Sequence, residues 1–368
     1  MSDALWESLA SRVLERTIEL CRIPAPPLDE QDRADRVLAW WAEDGLAGVE
    51  QDDVGNVWAD LRPGSGPALV IAAHLDTVFA RDVVHRTERI GGRLVGPGVG
   101  DDTVAVAALS ALHAVLPERL PVPVRLVATV GEEGLGNLRG VTAALGRADR
   151  PVGALIALEG NYLGRVNTIG VGSHRIEVSL TGPGGHAWED AHHPSVVHVG
   201  GRIIADLDAM ARPAGRTSVN VGTVAGGESI NARARALRLQ LDLRAESQDD
   251  LDRLVATATE LIRENCERQG VACALDVIGS RPAGSIEPDH PLVAAAVAGL
   301  EAAGESARLT AASTDANAAY ARGIPAVTLG ITTGELTHTE AEWIDVEPIG
   351  RGLRALTETI VTYTHLEE

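Results

Sequence analysis

The stretch VIAAHLDTVF, residues 70–79, closes an apolar run with His74 and places Asp76 two residues later. Side chains alternate along a strand, so His74 and Asp76 share one face while Leu75 takes the other. An imidazole that engages a carboxylate through one ring nitrogen can offer the second to a metal. Alone, an H-x-D at a strand end is better explained by a solvated terminus than by a metal site. Four further stretches add residues of the same kind: Asp101 in GPGVGDD (96–102), Glu132 and Glu133 in GEEG, Glu159 in LEG, and His338 in LTHTEAEW (336–343). Two imidazoles and several carboxylates suit Zn2+, with Co2+ or Mn2+ as alternatives. Two ions fit better than one, because gathered carboxylates repel each other unless cations neutralise them.

Such residues need a frame that brings strand ends together. Helical patterns over 3–21 and 30–45 precede strand-like GNVWADL (55–61) and ALVIAAH (68–74). The pattern then predicts a helix over 102–116, strand VRLVATV (124–130), a helix near 137–147 and strand ALIALE (154–159). Continuous apolar strands between helices indicate a sheet buried on both faces. Ligands in such sheets gather beyond the carboxyl ends of the strands, where His74, Glu132, Glu133 and Glu159 fall. Near residue 170 the style changes. SHRIEVSLTG (173–182), a helix over 195–211, strands 217–226 and 233–244, a helix over 249–268 and strand 271–279 follow in the order β-α-β-β-α-β, the ferredoxin-like arrangement. After RPAGS (281–285) the α/β style returns, with a helix at 291–303, strand AVTLG (326–330) and a helix near 348–365. The predicted fold class is α/β: a catalytic α/β/α domain with a mixed, mostly parallel sheet over 1–169 and 283–368, interrupted by a ferredoxin-like lid over 170–282.

Composition narrows the chemistry. The chain has 368 residues, 45% hydrophobic, with a formal net charge of −20, and its 32 Lys+Arg residues are all Arg. The absence of lysine excludes Schiff-base chemistry and a Walker-type phosphate loop. The negative balance opposes nucleic-acid binding. Cys21, Cys266 and Cys273 form no disulfide framework, which points to a reducing compartment. The first residues lack the basic-then-apolar order of a signal peptide; Trp6, Leu9, Val13 and Leu14 fall at helical spacing behind a capping Ser2 or Asp3. The longest apolar stretch, residues 104–116, is too short to span a bilayer. The expectation is a soluble, cytoplasmic protein. The pair Trp40-Trp41 reads as helix packing.

The joint order of HLDTV, GDD, GEEG, LEG, GPGGHAW, STDANAAYARGIPAV and HTEAEW resembles the dinuclear zinc amidohydrolases that include carboxypeptidase G, peptidase T, aminoacylase and succinyl-diaminopimelate desuccinylase. The resemblance implies that Asp101 bridges two zinc ions. Glu133 and His338 would complete one ion, and His74 and Glu159 the other. It implies Asp76 as the partner that fixes the His74 tautomer, Glu132 as general base, and a cis bond between Asp101 and Asp102. Where many relatives carry Lys or another polar residue next, this chain has Thr103.

In the lid, His186 matches a histidine that reaches a partner's site in dimeric relatives to stabilise an oxyanion. Asn231 and Arg244 resemble residues that hold the substrate carboxylate, although Arg244 reads equally as a solvated strand-end charge. His192, His193 and His198 match no motif and read as surface or packing residues. Asp315 reads as a helix cap or a supporting group.

The resemblance implies amide hydrolysis of a small peptide or N-acyl amino acid by a metal-bridging hydroxide, in a homodimer formed through the lid. The STDAN and GPGGHAW stretches favour a peptidase; Glu159 in place of Asp favours carboxypeptidases and deacylases. Peptidase ranks first and N-acyl-amino-acid deacylase second, ahead of a non-catalytic binder of peptides or amino acids and a purely structural dimer.

Overall fold

A computed structural model describes residues 2–210 and 216–366. The chain divides into two compact units, Met1–Gly170 with Ser285–Glu368, and Val171–Gly284. No helix among the described residues is long and apolar enough to cross a membrane.

The first unit is built on a mixed sheet. Its four central strands run in the spatial order Val124–Thr129, Ala68–His74, Val152–Leu158 and Ala326–Leu329, and each neighbouring pair is parallel. Antiparallel strands Val57–Arg62 and Ala47–Gln51 extend one side. Arg165–Gly170, with Arg308–Ala312 parallel to it, extends the other.

Every residue of Ala68–His74 is buried, and the alternation sorts them between two cores. Leu69, Ile71 and Ala73 join Trp6, Val37, Trp40 and Leu353 of the helices on one face. Ala68, Val70 and Ala72 join Val141, Ala144 and Ala319 on the other. Burying each large side chain in this way contributes about 1.5–3 kcal/mol, which pins the strand register. Trp40 and Trp41 are both core residues, as their helical spacing predicts. Ser2 sits at the first helix's cap position, but its side chain makes no capping bond.

Three departures from the predicted elements bear on function. The helix predicted over 102–116 begins as a π-type turn, Val99–Thr103, continues as Val104–Leu109 and tightens into a 3-10 turn at Leu112–Ala114. Asp101 and Asp102 have non-helical dihedrals there, and their peptide bond is cis. Arg165–Gly170 and Arg308–Ala312 are strands that the apolar pattern did not mark, being short and polar at one end. A separate antiparallel sheet joins Glu88–Ile90, Arg93–Val95, Trp343–Asp345 and Gly334–Glu335. That sheet fixes the loop carrying His338.

The second unit is a four-stranded antiparallel sheet in the order Thr217–Gly226, Ala236–Ala245, Gly172–Thr181, Ala272–Arg281. Helices Val196–Met210 and Gln248–Gln269 cover one face through Ile203, Leu207, Ala258 and Ile262, which meet Leu237, Leu239, Leu241 and Leu243 of the alternating strand. Residue 211, the predicted end of the first of these helices, lies outside the described residues. The Ser247 side chain caps the second helix by accepting the Asp250 N–H, and Gly270 closes it at φ +62°. The predicted strand 233–244 is two pieces: Ala232–Arg233, which pairs with Gly185–His186, and Ala236–Ala245.

Candidate metal centre

The candidate ligands His74, Glu133 and Glu159 sit at or just beyond the carboxyl ends of adjacent parallel strands. His74 ends its strand level with Thr129. Glu132 and Glu133 come three and four residues beyond Thr129, and Glu159 directly follows Leu158, with its amide bonded to the Leu329 carbonyl. Asp101 arrives from the π-type turn. Gly160 permits that approach, because a Cβ there would lie 2.3 Å from the Gly100 carbonyl oxygen and 2.3 Å from Val104.

Asp101 faces both histidines. Its Oδ1 lies 2.9 Å from His74 Nε2 and its Oδ2 lies 3.0 Å from His338 Nε2. Glu133 Oε1 stands 3.0 Å from the same His338 nitrogen. Ligand atoms of Asp101, Glu133 and His338 fall within 4.8 Å of one another, as do those of His74, Asp102 and Glu159, and of His74, Glu132 and Glu133. Tetrahedral Zn2+ with bonds near 2.0–2.2 Å separates its ligand atoms by about 3.3 Å, so these spacings suit shared coordination.

The state of the donor atoms makes the same point. His74 Nδ1 lies 2.9 Å from the main-chain carbonyl of Asp76, to which it donates. That tautomer leaves a lone pair on Nε2, aimed at the lone pairs of Asp101 Oδ1. Both atoms are buried without a hydrogen-bond partner among the described residues. Two lone-pair bearers at that distance need a cation or a proton between them, and the residues present therefore fit a metal.

Asp76 departs from its expected part. Its carboxylate stands 3.6 Å from His74 Nδ1 and is engaged elsewhere, accepting the Glu132 N–H at 3.0 Å and the Glu133 N–H at 2.7 Å. The carbonyl sets the imidazole, while the carboxylate sets the two-glutamate loop.

The same device recurs at residues the motifs did not single out. Asp102 accepts from the amides of His74 (3.1 Å) and Gly160 (2.8 Å), so both its oxygens face backbone donors, unlike those of Asp101. Glu342 Oε1 takes the Gly100 and Asp101 amides, each at 2.8 Å, and its Oε2 takes Gly98 at 3.1 Å. Glu30 holds the amides of Gly131 (2.9 Å) and Leu28 (2.7 Å). Arg33, wholly buried, donates to the Leu75 carbonyl (2.9 Å) and to Thr103 Oγ1 (3.1 Å), bringing a cation beside these acids. Asp315 accepts from Thr129 Oγ1 at 2.7 Å and makes no capping bond.

Electrostatics carry the mark of gathered acids. Burial, then Asp101 and Asp102, push the Glu159 carboxyl well above its usual range. Glu342 is pushed up to about 8 by burial and by Asp101, against the amides that it accepts. Burial disfavours a charged His74, yet the surrounding Asp101, Asp76 and Asp102 lift it well above the imidazole range. His338 is lifted to about 10 by its bonds to Asp101 and Glu133.

The remaining predicted residues belong to the second unit. His186 accepts at Nδ1 from the amides of Trp188 (3.3 Å) and Glu189 (3.4 Å), which leaves its proton on Nε2. Asn231 is beside it, with its carbonyl accepting the Ala187 amide. Arg244 is elsewhere. It lies eight residues along the strand from Ala236, about 26 Å at the usual rise, and its Nε donates to Asp242 at 2.8 Å. His186 and Asn231 thus form a pair that Arg244 does not join.

Carboxylates and imidazoles gathered at the edge of a mostly parallel sheet offer the donor set that a metal-dependent hydrolase would use. The model of peptidase family M20/M25/M40 matches residues 70–362, and the chain belongs to that family. It is 27% identical over 344 residues to an acetylornithine deacetylase of Myxococcus xanthus, covering 86% of this chain and 85% of that one. An Aeropyrum pernix protein named as a LysW-lysine/LysW-ornithine hydrolase is 32% identical over 188 residues. That match spans 50% of this chain and only about half, 51%, of the relative. A tripeptidase from Staphylococcus aureus subsp. aureus Mu50 shares the fold, with a TM-score of 0.82 at 20% identity over 97% of this chain and 99% of that one.

Two outcomes are expected. A divalent ion must displace the proton held at His338, so affinity rises with pH. Zn2+ should raise the melting temperature more at pH 7.5 than at pH 5.5, and titration calorimetry in buffers of different ionisation enthalpy should register proton release. Asp76→Asn should leave one of the Glu132 and Glu133 amides without an acceptor, costing about 1–3 kcal/mol in urea unfolding. Activity should fall with it.

Proposed function

We propose that this chain hydrolyses the amide bond of a small peptide, with two Zn2+ ions held by His74, Asp101, Glu133, Glu159 and His338. The observation that carries the reading is Asp101, whose two oxygens face the Nε2 atoms of two different histidines. When bound, the metal pair supplies an activated water and polarises the scissile carbonyl. Glu132, buried beside Glu133 and held by Asp76 through its amide, takes a proton at a carboxylate oxygen and returns it to the departing amine. Glu132→Gln should keep two metals per chain by elemental analysis while lowering kcat by about 100-fold or more. Full activity in that variant would overturn this role.

Peptidase is placed first because the tripeptidase likeness extends over nearly the whole chain and the STDAN and GPGGHAW stretches agree with it. The acetylornithine deacetylase relative, together with Glu159, favours N-acyl amino acids as the second reading. Mass spectrometry of products from one library of free di- and tripeptides, N-acetyl and N-succinyl amino acids and N-blocked peptides separates the two. Release of first residues from free peptides alone supports an aminopeptidase; consumption of blocked substrates alone supports a deacylase or carboxypeptidase.

The proposal extends to a homodimer in which the second unit serves as lid and His186 donates its Nε2 proton to the oxyanion in the partner's site. Three features support it. The outer strand Thr217–Gly226 carries no charged side chain and is exposed along much of its length. Trp188 and Ile230, flanking His186 and Asn231, are 85% and 104% exposed. The His186–Asn231 pair also lies far from Arg244, which suits residues serving two different sites. Mixing inactive E132Q with inactive H186A should restore about a quarter of wild-type activity if His186 acts in trans, since half the dimers are mixed and each repairs one site. Action in cis restores none.

A further inference from the structure

We propose that the second unit carries an anion site for a compact oxyanion with two or more negative charges, distinct from the metal centre and lined in part by the turn that continues from His186. A cavity of about 300 Å³ opens on this unit, and three imidazoles and three guanidiniums line it: His192, His193, His198, Arg202, Arg233 and Arg268. No Asp or Glu lines it among the described residues. In a chain of net charge −20, six potentially cationic side chains around one hollow without a carboxylate form a local field opposite to that of the whole molecule.

Three elements build the hollow. His198 and Arg202 stand four residues apart in helix Val196–Met210, which stacks them on one face. Arg268 comes from the last turn of helix Gln248–Gln269. Arg233, on the short strand Ala232–Arg233, donates to the Ala191 carbonyl and so fastens the wall that bears His192 and His193. His193 is set in turn by Nδ1, 2.8 Å from the Gly184 carbonyl, and its ring meets that of His192 edge-on with centroids 4.4 Å apart. The wall is therefore ordered by bonds that use two donors of Arg233, to the Asp190 and Ala191 carbonyls, and one of His193, leaving further donors of each to bind something else.

Planar guanidiniums suit a tetrahedral or planar oxyanion, which they engage in pairs. Like charges brought together in this way repel, and a multivalent anion relieves that repulsion where chloride does so weakly. The cavity has room for a phosphate group with its first waters or for a phosphomonoester's head, and too little for a folded partner.

The test is calorimetric titration of the zinc-loaded enzyme with inorganic phosphate, sulfate and glycerol phosphate, each against chloride at equal ionic strength. Arg202→Gln with Arg268→Gln is the comparison, since both side chains are exposed and neither belongs to the catalytic set. Saturable phosphate binding that the double variant weakens at least tenfold, with kcat and zinc content unchanged, supports the site. Binding of glycerol phosphate as well identifies a phosphomonoester ligand, and binding of the inorganic ions alone identifies a free oxyanion. Equal affinity in both proteins, or heats that chloride reproduces, would overturn it.

Discussion

The architecture turns on buried carboxylates, and on the requirement that each have a partner. An ionised acid withdrawn from water without compensation is prohibitively costly. This molecule resolves the problem in two ways at one sheet edge. Asp101, Glu133 and Glu159 are turned inward toward the imidazoles. Asp76, Asp102, Glu342 and Glu30 are turned outward onto backbone N–H groups of the loops that bear those inner acids. The outer set therefore does more than neutralise itself. By gripping amides at residues 74, 98, 100, 101, 131, 132, 133 and 160, it fixes the positions from which the inner set projects.

This division explains what could be read in advance. The inner residues are recognisable because a metal demands particular side chains, and the sheet demands that they follow apolar runs; HLD, GEEG and LEG satisfy both requirements. The outer acids obey no such rule. Glu342 reaches residues 98–101 across the whole chain, and nothing in its neighbourhood marks it as an acceptor of three amides. Asp102 opens the helix predicted over 102–116, yet its side chain turns toward His74 and Gly160, and the helix starts only at Val104. Asp76 was legible as a member of the site but not in its manner of acting, because spacing reveals which face a residue takes and not which of its oxygens binds. The small sheet around Trp343 was equally hidden, its strands being too short for periodicity to register.

In the second unit the sheet acts as a ruler. His186 and Asn231 are joined at the end where Ala236 begins, and Arg244 lies at the opposite end of that strand. The family resemblance pairs Asn231 and Arg244 as substrate contacts. An extended strand separates them by its length, which is why two residues expected at one substrate stand apart in space.

The discontinuity of the first unit has a consequence for timing. A ribosome delivers His74, Asp101, Glu132, Glu133 and Glu159 before any of the second unit, whereas His338 and Glu342 emerge only after it. Until then the Asp101 turn lacks its Glu342 clasp and the Asp101–Glu133 side of the centre lacks its imidazole. A nascent or truncated chain can therefore gather acids but cannot finish the centre. The candidate metal centre requires the loop that bears His338 and Glu342 to have been synthesised.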